Sequence, residues 1–94
     1  MQDRQETAHA LALQALAYLA QDGDRLGAFM ASGGLDPASL RTRASDPLLL
    51  AAVLDFVLAV EALLVAFCAD LGLSPDLPMR ARAALPGGDL PHWT

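Results

Sequence analysis

Asp55, Glu61, Cys68, His9 and His92 are the side chains in this chain whose types could do acid–base, metal or nucleophilic chemistry. Asp55 and Glu61 lie within one apolar run. Paired carboxylates do general acid–base work only when they converge on the same reacting group. On a helix these two stand about 120° apart, so they do not converge. His9 and His92 lie near opposite ends of the chain, and neither has a second ligand three or four residues away, the spacing a helical metal site needs. Cys68 is the only cysteine. That excludes an intrachain disulfide and a cysteine-rich zinc site, and leaves the thiol as a small buried hydrophobe. GxSxG, HExxH, CxxC and P-loop spacings are all absent. Gly87-Gly88 is no phosphate cradle, because no strand precedes it and no helix start follows. We therefore expect no catalytic residue, no cofactor and no metal ligand: not an enzyme.

These groups must be positioned by helices, and the dominant one is predicted over about 47–71, DPLLLAAVLDFVLAVEALLVAFCADL with its cap. Asp46 is a good N-cap and Pro47 suits the first helical position. Gly72 supplies a left-handed stop and Pro75 opposes continuation. A continuous helix of this length would be roughly 35 Å long. Its bulky arc runs through Leu49, Val53, Phe56, Val57, Val60, Leu63, Leu64, Phe67 and Leu71, and Leu54, Leu58 and Val65 extend it on one flank beside Glu61. An alanine strip with Asp55 and Asp70 lies opposite. The arc is wider than one neighbour can cover. Asp55 reads as solvated, or paired with Arg41, Arg43 or Arg80. Glu61, flanked by bulky residues, needs a partner or a raised pKa if buried, and marks an interface rim if exposed. The run is long enough to cross a membrane, but two acids near its middle would each cost about 2.5–3.5 kcal/mol there. A buried core helix is the better reading.

Around this post the pattern predicts a helix over 2–21 with Ala8, Leu11, Ala12, Ala15, Leu16 and Leu19 on one narrow face and His9 at its boundary. A two-turn helix over 25–32 follows the Asp22-Gly23-Asp24 break, and Gly33-Gly34 ends it. Asp36-Pro37 caps a short helix to Arg43 or Ala44, with Leu35 placed to staple onto it. Ser74 is the predicted N-cap of a last helix running to about Leu85. Short connections require steep crossings. The expected architecture is all-α: one domain over 1–94, a compact bundle of four or five helices around the long central helix. A non-helical tail over 86–94, with the only tryptophan, is expected to dock on the bundle or to anchor in a partner's pocket.

Composition narrows the partners. Hydrophobic residues make up 54% and charged residues 18%, which excludes a disordered chain. The net charge is −5 and the only basic clusters are Arg41/Arg43 and Arg80/Arg82, so nucleic acid is disfavoured. A helix-turn-helix-like DNA-binding regulator using Arg41 and Arg43 is the alternative. The polar, mixed-charge start MQDRQET has no signal-peptide pattern, which places the protein in the cytoplasm by default. The favoured role is a small interaction or self-associating module that binds a protein partner or forms a homodimer, with no membrane. The candidate contacts are Leu54, Leu58, Glu61, Val65, His92 and Trp93.

The segments GLDPASLR (Gly34 to Arg41), DPLLLAAVLDF (Asp46 to Phe56), EALLVAFC (Glu61 to Cys68) and LPGGDLPHWT (Leu85 to Thr94) together resemble the DUF3572 family, short alphaproteobacterial proteins of unknown function. The resemblance spans nearly the whole chain. Where members carry two adjacent acids, this chain has Val60-Glu61, which weakens a paired-carboxylate site. Members' genes lie near two-component response regulators in some genomes, which implies an accessory place in bacterial signalling. The resemblance brings no activity and no catalytic residue.

Overall fold

The computed structural model describes residues 2–86. The helices are α1 (Gln2–Ala20), α2 (Gly23–Gly33), α3 (Pro37–Thr42), α4 (Pro47–Ala59), α5 (Glu61–Leu71) and α6 (Leu77–Ala83), with no strand among the described residues. The all-α class is as expected. Most boundaries follow from local chemistry. The Asp22 carboxylate accepts from the Asp24 and Arg25 amides, Asp36 from Ser39, and Asp46 from Leu48. Gly34 and Gly72 take φ of 66° and 68° at the ends of α2 and α5, a conformation in which a Cβ would be strained.

The continuous 47–71 helix is not what forms. The chain breaks at Val60, whose φ/ψ of −113°/100° is extended, and α4 and α5 meet at 105°. Three physical effects favour the break. A straight rod of roughly 35 Å would exceed the longest extent of the domain, 33 Å, and would carry its wide apolar arc past its neighbours. Val60 is β-branched and gives up little helix propensity when it turns extended. Glu61 becomes the first residue of α5, where its charge faces the positive end of the helix dipole. The backbone is spliced by Val60 N–H donating to Val57 O at 3.4 Å and Leu64 N–H donating to Val60 O at 3.0 Å.

The post of the bundle is therefore α4 alone. It packs against α1, α2, α5 and α6, and it buries Leu49, Leu50, Ala51, Val53, Leu54 and Val57, more than half its circumference. From α1 come Ala8, Leu11, Ala12, Ala15 and Leu19 of the narrow face read from the sequence, while Leu16 of that face is only half-buried against them. Two edge-to-face aromatic pairs tie the outer helices in: Phe29 of α2 with Phe56 of α4 at 5.6 Å, and Tyr18 of α1 with Phe67 of α5 at 5.3 Å.

The last helix is shorter than expected. Ser74 does not cap it; its hydroxyl donates to the Asp76 carboxylate, and α6 starts at Leu77. Had Ser74 been the cap, Pro78 would stand at the fourth helical position, whose amide must bond to the cap carbonyl, and proline has no such amide. Starting at Leu77 puts Pro78 in the first turn, where none is required. Among the described residues no single helix is long and apolar enough to cross a membrane. The α4–α5 pair meets the length and composition, but it is folded at 105°.

Candidate functional site

A groove of about 590 Å³ lies between α1 and α6. Helical spacing builds both walls. On α1, Arg4, Thr7, Ala8, Leu11 and Gln14 recur at intervals of three and four; on α6 and its C-cap, Leu77, Arg80, Ala81 and Ala84 do the same, and Leu73 also lines the groove. Ala8, Leu11 and Ala81 form a nearly buried floor. The alanines leave space because nothing longer than a methyl group fills it. Guanidinium and amide groups stand on the rim: Arg4, Arg80 and Gln14. Arg80 also pairs along its own helix with Asp76, Nη2 to Oδ2 at 2.9 Å.

On the other side of the end of α6 lies a smaller pocket of about 300 Å³. It is bounded by Gln5, Glu6, His9, Pro47, Ala84, Leu85 and Pro86, so Ala84 separates the two cavities. Arg82 organises this end. Its Nε donates to Asp55 Oδ1 at 2.7 Å and its Nη1 donates to the Pro86 carbonyl at 3.0 Å. Asp55 is thus paired, but with Arg82 rather than with Arg41, Arg43 or Arg80. The packing of α6 on α4 brings Arg82 to Asp55, a proximity that spacing along one helix does not reveal.

The other predicted residues are scattered. Leu54 is fully buried in the core and cannot reach a partner, because the break at Val60 turns α4 into the centre of the bundle. Leu58 is half-buried, Glu61 is exposed on the first turn of α5, and Val65 is 60% exposed. His92 and Trp93, with the expected tail docking, lie outside the described residues. Arg41 is exposed in the last turn of the six-residue α3, and Arg43, just beyond it, pairs with Asp46 at 3.4 Å. Among the described residues no group of three or more His, Cys, Asp or Glu side chains could hold a metal ion. Cys68 is buried, which raises its thiol pKa, and its Sγ reaches the Ser74 carbonyl at 3.9 Å. A neutral, enclosed thiol of this kind is a poor nucleophile.

One polar contact crosses the core boundary. The Tyr18 hydroxyl donates to Asp70 Oδ2 at 2.6 Å, and the Arg25 guanidinium lies 5.3 Å from the ring centre. The hydrogen bond to Asp70, reinforced by burial, raises the phenol pKa above its usual value, against a smaller pull from Arg25. A group whose folded pKa is raised stabilises the fold below its unfolded pKa, about 10 for tyrosine, and that contribution is lost as pH rises through the folded value. Tyr18→Phe will cost about 1–2 kcal/mol at neutral pH, the worth of a partly exposed hydrogen bond to a charged acceptor. The difference between wild type and variant will shrink above about pH 10. The chain has no lysine, so Tyr18 and Cys68 dominate this alkaline range. Urea unfolding of both proteins on either side of it checks the effect; a pH-independent difference would contradict it.

The groove is not legible in the sequence. Its signal is a stripe of alanines on each of two helices, Ala8 facing Ala81 and Ala84. Such stripes equally describe helices in close contact, and only the separation of α1 and α6 tells the two apart.

These features define a small all-helical domain with an open apolar groove. The profile of a family described as Protein of unknown function (DUF3572) matches residues 5–88, and the chain belongs to that family. No curated protein and no solved structure matches it.

Proposed function

We propose that this domain is a protein-interaction module whose α1/α6 groove receives an apolar, acid-bearing segment of a partner protein. The observation that carries this reading is the groove itself: an open trough with an alanine and leucine floor and two arginines on its rim. Apolar concavities with a few polar groups at the margin are the common form of a binding site. The helix-in-groove mode uses anchors at intervals of three and four, the same spacing that lines these walls. The rim charge favours acids in the incoming segment, although the chain as a whole carries −5.

Site-directed photocrosslinking in native cells tests the proposal. A photoreactive residue at Ala10, an exposed position bordering the groove, is expected to give a discrete protein adduct. The same residue at Ala59, at the far end of α4, is expected to give none. Arg4→Glu/Arg80→Glu reverses the rim charge and is expected to reduce the adduct several-fold. Equal labelling from both positions, or no adduct at Ala10, overturns the proposal.

A further inference from the structure

We propose that α5 exchanges between two copies of this chain, through a straightening of the elbow at Val60. In the exchanged dimer α4 and α5 run on as one helix, and each α5 packs on the bundle of the other copy. The proposal is independent of the α1/α6 groove and uses none of its residues. Three observations support it.

The first is the hinge. α4 ends at Ala59 and α5 starts at Glu61, so a single extended residue carries the whole 105° turn. From Leu48 to Leu71 the chain has no glycine and no proline, so no residue in this stretch enforces a stop. The second is the uncapped start of α5. Asp22, Asp36 and Asp46 cap α2, α3 and α4 with side-chain oxygens, whereas Val60 offers α5 none. The amides of Glu61, Ala62 and Leu63 therefore lack a helical acceptor. Straightening gives them the carbonyls of Val57, Leu58 and Ala59, one turn earlier.

The third is what holds α5. It packs mainly on α4, and it is tied to α1 by the Tyr18 ring against Phe67 and the Tyr18 hydroxyl on Asp70. A second copy presents the same α4 face and the same tyrosine. Exchange rebuilds these contacts between chains, and the other copy covers the apolar arc that a straight rod carries past its own neighbours. The docking surface is complementary by construction, which makes exchange of an identical element a low-cost route to a dimer. A short hinge favours it.

Two variants push the hinge in opposite directions. Glu61→Pro suits the bent form, because proline is well placed at the first helical position and favours an extended residue before it. In a straight helix its ring would clash with the Val57 carbonyl. Val60→Ala, at a residue 42% exposed, raises helix propensity at the hinge without touching the core. Each full-length protein is refolded from urea at low and at high protein concentration, and its mass is read by light scattering after gel filtration. The wild type is expected to give a dimer fraction that rises with refolding concentration. Val60→Ala is expected to give several-fold more dimer, and Glu61→Pro only monomer. Spin labels at the exposed Ala52 and Ala69, in Cys68→Ala protein co-refolded with excess unlabelled chain, read the hinge itself. A continuous helix sets them roughly 25 Å apart along its axis; the bent monomer holds them closer. A wild type that is monomeric at every concentration overturns the proposal. So does a dimer that Glu61→Pro leaves unchanged, or one whose labels keep the monomer's shorter distance. If far-UV circular dichroism shows that Glu61→Pro does not fold, the label distance in the dimer decides alone.

Discussion

Replacing Phe67 with alanine will cost about 3–5 kcal/mol, the usual loss for truncating a fully buried aromatic ring. Phe67 is fully buried and stacks edge-to-face on Tyr18 at 5.3 Å, the ring that also holds Asp70. It is the main anchor of α5, a helix that buries only Leu63, Phe67 and Cys68. A domain of this size has about 5–15 kcal/mol of total stability, so this loss is a large fraction of it. Urea denaturation followed by circular dichroism measures the loss. A change under about 1 kcal/mol, the ordinary range of a surface substitution, would mean that α5 does not depend on this ring. The folded-back arrangement at Val60 would then need another explanation.

The second large effect distinguishes the bent arrangement from a continuous helix. Leu54→Ala will cost about 2–5 kcal/mol, while Val65→Ala will stay within about 0.5 kcal/mol. On one straight helix the two residues share a flank and should respond alike. In the structure Leu54 is completely enclosed and Val65 is 60% exposed, on helices that meet at 105°. Thermal unfolding of the two single variants decides the matter. Similar losses at both sites would contradict the break at Val60. The same pair bears on self-association: Leu54 serves the core, so a dimer contact on this side would have to use Leu58 and Val65 without it.

The electrostatic contacts matter less. Arg82–Asp55 is the shortest ion pair, yet the Asp55 side chain is 58% exposed, which limits its worth to a few tenths of a kcal/mol or so. Its importance is positional: the same guanidinium fixes the Pro86 carbonyl and therefore the direction in which the chain leaves α6.

What the sequence by itself determined is local. Asp36, Asp46, Gly34 and Gly72 mark helix ends because capping and left-handed turns depend on one residue and its immediate backbone. The narrow face of α1 follows from periodicity alone, and Ala8, Leu11, Ala12, Ala15 and Leu19 are buried as that periodicity implies. The all-α class and the family resemblance were legible for the same reason. Tertiary structure alone decided the break at Val60, the burial of Leu54, the Arg82–Asp55 pair and the groove between α1 and α6. At Val60 no glycine or proline announces a stop. The local preference is nearly balanced there, and the balance tips because a straight apolar rod would outrun the neighbours that can cover it. The late start of α6 lies between these cases: Pro78 carries the signal, but which turn it belongs to depends on where the preceding loop lets the helix begin. The groove is furthest from the sequence, because a cavity is the space between two surfaces, and neither helix encodes its distance from the other.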